Sequence, residues 1–223
     1  MMMMMMNEGR TTMGDQDLIA LTTHELGYLL DLVPGDGADQ TKDILGVPVP
    51  DDLDGFLAAG AATMLVRKLA TVSDDDLLVP SMEVGIVGEN LTGPAVWVEI
   101  ALVSESATEG AFISFGPNST LVLSPRVLGT FEIRFLPSGV SAGEATSQIL
   151  VALLEAHAPA AGYARVVAGG ADMALAVRLL EDGTLEVSQD EGAHVYSGTF
   201  PADRATVEEK ICALLDKGIF IDA

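Results

Sequence analysis

Apolar residues recur at helical spacing in the first third of the chain. Thr22 and Glu25 stand three positions apart, as in a capping box, just ahead of a Leu-rich stretch. Asp51 and Asp52 precede a second stretch with the same period, and an Asp in that place is a common helix start. The pattern predicts a helix over 22–33, a Gly-, Pro- and Asp-rich loop over 35–50, a helix over 51–69 and a further helical turn at 73–76.

From residue 82 onward, apolar positions alternate with polar ones, which is typical of half-buried antiparallel strands. Strands are predicted at 82–87, 95–103, 111–115, 120–123, 131–135, 163–167, 173–180, 184–187 and 194–200. Two helices interrupt or close this series. Ser141 and Glu144 form a capping-box pair at the start of one, and Asp203 caps the other, which ends at Gly218.

Part of the strand-rich region repeats after 64 residues. The run 120–124 aligns with 184–188, and Ile113 aligns with Val177. The sequence therefore predicts an α+β fold whose antiparallel sheet is built from two quasi-equivalent β-β-β-β-α halves, with N-terminal helices packed against it. Ile113 and Val177 are expected at equivalent sites about a pseudo-twofold axis, and the same is expected of Leu121 and its counterpart Leu185.

The pattern divides the chain into a tail and one folded unit. Residues 1–17, which open with six methionines, are predicted to be a disordered tail. Residues 18–223 are predicted to form a single α+β domain, large enough to bury a substantial core. Within it, 18–94 holds the N-terminal helical part and first strand, 95–158 the first repeat and 159–223 the second repeat.

The net charge and the apolar runs of the chain limit the compartment and the partners that we expect. The 223 residues include 33 acidic and 11 basic side chains, a formal net charge of -22. That field repels a phosphate backbone or an anionic membrane surface. No run approaches the ~18 apolar residues that span a bilayer, and no basic segment leads into an apolar one at the start. We expect a cytoplasmic protein that binds no nucleic acid and does not insert into a membrane.

Candidate chemistry is sparse. The single cysteine, Cys212, falls on an apolar stretch and is predicted to be a buried hydrophobe rather than a nucleophile. His24, His157 and His194 are far apart in sequence and lack metal-ligand spacing. No phosphate-binding Gly-rich loop or nucleophile motif occurs. The sequence therefore predicts no catalytic, cofactor-binding or metal-binding residue, and no cofactor.

Four short runs precede or open the predicted sheet region, in an order that also occurs in a known protein family. They are the Leu-rich start 18–33, Leu57-Ala58-Ala59-Gly60, Leu65-Val66-Arg67-Lys68-Leu69 and Leu77-Leu78-Val79-Pro80. This order resembles the EspG-like ESX (type VII) secretion-associated proteins of actinobacteria. The resemblance implies a sheet with quasi-twofold symmetry. It also implies a non-enzymatic, cytosolic chaperone that keeps the apolar helical tips of secretion substrates out of water.

The leading hypothesis is therefore a non-enzymatic cytosolic chaperone or adaptor that binds helical protein secretion substrates of a type VII system. Binding is expected to use loops and a sheet edge, and the sequence assigns no partner-binding residue. The alternative is a small-molecule-binding or enzymatic α+β domain with a pocket between the two halves. A third hypothesis is a homodimeric structural domain, since the pattern is compatible with a monomer or a homodimer.

Overall fold

A computed structural model of the chain describes residues 18–93, 96–104, 108–116, 118–168, 171–190 and 199–219. The strands are β1 (Leu18–Thr22), β2 (Ala70–Val72), β3 (Leu78–Pro80), β4 (Val96–Val103), β5 (Thr108–Phe115), β6 (Thr120–Arg126), β7 (Thr130–Phe135), β8 (Ala160–Ala168), β9 (Ala171–Leu179), β10 (Leu185–Asp190) and β11 (Phe200–Ala202). The helices are α1 (Thr23–Leu32), α2 (Asp36–Leu45), α3 (Leu53–Val66), α4 (Met82–Thr92), α5 (Ala142–Ala156) and α6 (Arg204–Ile219).

Most of the strands form one antiparallel sheet. Its order is β1-β7-β6-β5-β4-β8-β9-β10-β11, while β2 and β3 form a separate hairpin. The central pair, β4 and β8, joins two sets of four strands that are consecutive in sequence, β4 to β7 and β8 to β11, and β1 is added beside β7. Each set is followed along the chain by a long helix. The predicted α+β class and antiparallel sheet are confirmed. The origin of the two sets by duplication stays a prediction.

Strand registers in the two sets agree around the centre of the sheet. Ile113 in β5 faces Val98 in β4, and Val177 in β9 faces Gly162 in β8. Both residues of the second pair lie 64 positions after their counterparts in the first. Ile113 and Val177 therefore occupy equivalent positions in the two sets of strands, as the sequence predicted.

The agreement ends one strand further out, and the predicted equivalence of Leu121 and Leu185 is wrong. Phe115 faces Thr120 across the β5–β6 connection, whereas Leu179 faces Leu185 across the β9–β10 connection, which is one residue longer. Since side chains alternate between the faces of a strand, one extra residue reverses the orientation of every matched position. Leu121 consequently packs on the side of the N-terminal helices, and Leu185 packs on the side of α5 and α6.

Buried apolar residues form one core on each face of the sheet. The first core lies under α5 and α6 and spans both sets of strands, from Val122 in β6 to Val187 in β10. The second core lies under α1, α2 and α4 and covers mainly β1, β7, β6, β5 and β4, which are neighbours in the sheet. Trp97 in β4 is buried in this core. The N-terminal helices thus pack against the sheet, but over one half of it.

The segment predicted to be a loop at 35–50 contains the helix α2, so that prediction is wrong. Its sequence is rich in Asp and Gly, which favour loops. The helix forms because Ala38, Thr41 and Leu45 lie on one face and are buried against neighbouring helices. The Thr41 hydroxyl donates a hydrogen bond of 2.6 Å to the carbonyl of Leu91 in α4.

The strand predicted at 82–87 is wrong for a different reason. Its apolar residues fit a period of two, but Val84, Val87 and Leu91 also fit a helical period and are buried on one face of α4. Ser81 decides between the two, because its hydroxyl accepts a hydrogen bond from the Val84 N–H and caps the helix.

Two further N-terminal predictions need correction. Residues 18–22 form β1 rather than part of a helical start, because they pair with β7 at the edge of the sheet. Residues 73–76 form the turn of the β2–β3 hairpin rather than a helical turn, with Asp76 at a φ of 61°. The tail 1–17 and His194, with most of the strand predicted at 194–200, lie outside the described residues.

The predicted N-caps of α1, α3, α5 and α6 are confirmed, and the cap of α1, a full capping box, carries an additional contact. The Thr22 hydroxyl accepts from the Glu25 N–H at 3.2 Å, and the Glu25 carboxylate accepts from the Thr22 N–H at 2.7 Å. Arg67, just beyond α3, donates to the same carboxylate at 2.6 Å and to the carbonyl of Ala20 at 2.7 Å. Asp52, Ser141 and Asp203 cap α3, α5 and α6.

Candidate partner-binding groove

A groove runs beside α5 on the face of the sheet that carries the first core. α5 packs against β4, β5 and β8, with α6 on the side of the second half, so β6 and β7 have little helix above them. The cavity left there has a volume of ≈ 610 Å³. Ligand-binding clefts usually measure about 300–1,000 Å³. We call this cavity the α5 groove.

One side of the α5 groove is apolar. Ile149 and Leu153 on α5 are partly buried against the first core and also line the groove. Leu136 and Val140, in the segment between β7 and α5, extend this apolar lining. Apolar side chains that are only half-buried can gain further burial against a partner, at about 25 cal/mol for each Å² removed from water.

The strands beneath the α5 groove contribute two arginines. Arg126 donates to Glu132 at 2.7 Å, and this hydrogen bond raises the pKa of Arg126 and lowers the pKa of Glu132. Arg134 forms no hydrogen bond or ion pair with another residue in the part of the chain that the structure describes. The charge of Arg134 contributes to lowering the pKa of Glu132, but the guanidinium forms no direct ion pair with it. On a chain with a net charge of -22, such an exposed guanidinium is available to an acidic partner.

The predicted histidines are not brought together. His157 ends α5 and approaches Glu109, another residue of the groove lining, with 3.3 Å between Nε2 and Oε1. His24 is exposed on α1, with its ring 4.5 Å from the ring of Phe56. Among the described residues, no group of three or more His, Cys, Asp or Glu side chains is arranged to hold a metal ion. Within the same ranges, no helix has both the length and the apolar character needed to cross a membrane.

A smaller cleft lies on the opposite face, over the central strands β4 and β8. Its volume is ≈ 340 Å³, and its lining includes Asp43 from α2, Glu99 from β4 and Arg165 from β8. Glu99 accepts a hydrogen bond from the Tyr163 hydroxyl at 3.0 Å and pairs with Arg165 at 3.5 Å. Polar groups of both sets of strands therefore meet in this cleft.

Comparison with known proteins finds a likeness in structure but none in sequence. No family model matches the chain, and no curated protein sequence matches it. One solved structure that it resembles is that of the Mycobacterium tuberculosis type VII secretion system chaperone EspG5 in complex with the PE25-PPE41 dimer. The two chains superpose with a TM-score of 0.58 at 12% identity, over 89% of this chain and 96% of that chain. This chain has the fold of EspG5.

Likeness to EspG5 confirms, at the level of fold, the resemblance found in the order of sequence elements. The α5 groove itself was not predicted. Ile149 and Leu153 fit the apolar side of the helix predicted to begin at Ser141, and Arg134 is one of the polar positions on the alternating strand 131–135. Only the docking of α5 over β4 and β8 leaves Ile149 and Arg134 facing the same space.

Proposed function

We propose that this protein is a non-enzymatic cytoplasmic chaperone or adaptor for a type VII secretion system, and that it binds a helical segment of a secretion substrate in the α5 groove. The observation that carries the proposal is the groove's composition: an apolar side on α5 beside the exposed guanidinium of Arg134, which forms no hydrogen bond or ion pair with another described residue. The fold shared with a secretion chaperone that was solved with a bound dimer supports the same function.

The groove's chemistry defines the segment that would fit. An amphipathic helix presents apolar residues at intervals of three and four, which would pack on Ile149 and Leu153. An Asp or Glu beside that apolar face would pair with Arg134, and a guanidinium–carboxylate pair fixes orientation as well as adding affinity. The partner is therefore a helix with one apolar face and a flanking carboxylate.

Co-migration tests this function. The purified protein is mixed with candidate helical secretion substrates and run on size-exclusion chromatography, and affinity is then measured by calorimetry for any substrate that co-migrates. R134E should weaken binding by about tenfold or more, because it places a carboxylate against the partner's acid. R178E is the matched control, since Arg178 is an exposed strand arginine on the other face of the sheet.

Two results would count against the proposal. Failure of every type VII substrate to co-migrate would contradict the proposed chaperone function. Equal binding by wild type, R134E and R178E would show that the substrate does not bind in the α5 groove, while leaving the proposed chaperone function in place.

The second candidate is a small-molecule-binding or enzymatic domain with its site in the smaller cleft. The convergence of Glu99, Tyr163 and Arg165 from both sets of strands favours it. A thermal-shift screen against metabolites and metal ions discriminates, because any ligand that binds the native state raises the unfolding temperature. A hit that is lost in E99Q and retained in R134E would place a ligand in that cleft.

A further inference from the structure

The connection between β6 and β7 presents two successive apolar side chains to solvent. Val127 is 82% exposed, and Leu128 is 96% exposed, more than any other large apolar residue in the part of the chain that the structure describes. A single exposed apolar residue is common on a protein surface. Two in succession at a hairpin end are less common, and neither belongs to the two cores that stabilise the sheet.

The backbone at Leu128 has a conformation that leucine rarely adopts. Its φ is 61°, in the left-handed region, where the Cβ atom crowds the following carbonyl oxygen. Asparagine and glycine adopt this region more readily, and Gly129 follows at a φ of 64°. Leu128 is the only large apolar residue with a positive φ in the described ranges. Because strained backbone is concentrated at functional sites, an exposed leucine held in this way indicates a role beyond folding.

Hydrogen bonds from the start of α1 hold the hairpin end in place. The Gly129 carbonyl accepts from the Thr23 N–H at 2.8 Å and from the Thr23 hydroxyl at 2.7 Å. Within the connection, the Thr130 hydroxyl donates to the carbonyl of Val127 at 3.0 Å. A fixed apolar group loses less conformational entropy on binding than a mobile one, so this arrangement favours contact with a partner.

The hairpin end lies beyond one end of the α5 groove. Arg126 of β6 lines the groove, and Val127 follows it directly. α5 runs toward the same end, because His157 at its C-terminus lies 3.3 Å from Glu109. Glu109 also lines the groove, and its charge contributes to raising the pKa of Arg126. A helix lying in the groove along α5 therefore extends toward the hairpin end.

We propose that Val127 and Leu128 contact the far end of the helix bound in the α5 groove and so determine which helices the groove accepts. This contact depends on the function proposed above, since it requires a helix in the groove. α5 lines the groove from Ala145 to Leu153, about 12 Å at 1.5 Å per residue. The two residues beyond Arg126 add about 7 Å at strand spacing.

The length and the chemistry of the accepted helix follow from this arrangement. A bound helix must continue its apolar face over about 19 Å, or about 3.5 turns, to reach Leu128. The contact at that end is apolar, because the neighbouring Arg126 is engaged with Glu132 at 2.7 Å. A helix with an apolar last turn gains burial against Val127 and Leu128, whereas a helix that becomes polar after its second turn does not.

Substitution of Leu128 should affect binding and stability in opposite directions. The probe is a helical secretion substrate that co-migrates with wild type, and calorimetry measures its dissociation constant. L128N should raise this constant by about tenfold or more, because the bound helix loses an apolar contact of leucine size. The same variant should raise the unfolding temperature, because asparagine adopts a positive φ at lower cost than leucine.

L77N serves as the control. Leu77 is 64% exposed beside the turn of the β2–β3 hairpin, which packs on the side of the N-terminal helices, so L77N should leave the affinity unchanged. Equal affinity of L128N and wild type would overturn the hairpin contact and leave the chaperone function in place, as would equal weakening by L128N and L77N. A lower unfolding temperature of L128N would also overturn the contact, since Leu128 would then serve the fold. If no substrate co-migrates with wild type, the chaperone function and the contact both fail.

Discussion

Arg67 joins three elements of the N-terminal region through a single guanidinium. It lies just beyond α3, donates to the capping-box carboxylate of α1 at 2.6 Å and donates to a carbonyl of β1 at 2.7 Å. Glu25 is fully buried, and its second oxygen has no hydrogen-bond partner among the described residues. The sequence predicted the capping box from residues three apart, but the Arg67 contact joins residues 42 positions apart and no local pattern indicates it.

Removal of Arg67 should therefore destabilise the protein through the charge that it leaves behind. R67A is expected to lower the free energy of unfolding by about 3 kcal/mol, because a buried carboxylate loses its counter-charge. In the double variant E25Q/R67A the buried group is neutral, so stability should recover in part. Urea unfolding measures both. Equal stabilities of R67A and wild type would show that the pair contributes little.

At the scale of elements, the sheet was more predictable than the helices over it. Long alternating segments such as 95–103 have one reasonable interpretation, and β4 lies where it was predicted. α4 was mistaken for a strand, because six residues of alternating pattern also fit a helix, and only the Ser81 cap separates the two. β1 was missed because its partner β7 lies more than a hundred residues away, and that pairing is a tertiary effect.

Two glycines, one in α3 and one in α4, should respond in opposite ways to the same substitution. Alanine normally stabilises a helix interior by about 0.5–1 kcal/mol relative to glycine. At Gly85 in α4 an added Cβ meets no atom within 4 Å, so G85A should raise stability by about that amount. At Gly60 it would overlap the His24 carbonyl, so G60A should lower stability by about 1–3 kcal/mol. Chemical unfolding compares them; a stabilised G60A would contradict the close α1–α3 packing.

The whole molecule has helices on both faces of one half of the sheet and on a single face of the other half. The uncovered face of β9 and β10 carries Arg178, which pairs with Glu186 at 3.7 Å, together with Ser188 and the small side chains of Ala174 and Ala176. Antiparallel sheets tolerate one solvated face. The α5 groove arises at this scale, since it depends on which strands α5 leaves open, and so a residue pattern alone did not reveal it.

Net charge also acts on the whole molecule, and salt should stabilise it. A charge of -22 on a compact chain of 223 residues is self-repulsive. Raising the salt concentration from about 10 mM to about 100 mM shortens the screening length from about 30 Å to about 10 Å. The unfolding temperature should rise over that range in sodium chloride and stay level in glucose at the same osmolarity. An unfolding temperature that fell with salt would mean that favourable ion pairs outweigh the repulsion.

The extra residue in the β9–β10 connection has a consequence for parity. An odd change in the length of a hairpin connection exchanges inside for outside in the next strand, whereas an even change preserves them. The similarity between 120–124 and 184–188 therefore aligns residues whose side chains point to opposite faces of the sheet. If the two halves share an ancestor, the evidence for it is the matching register of β4 with β8 and of β5 with β9. The sequence of β10 has changed since then to suit the reversed orientation of its side chains.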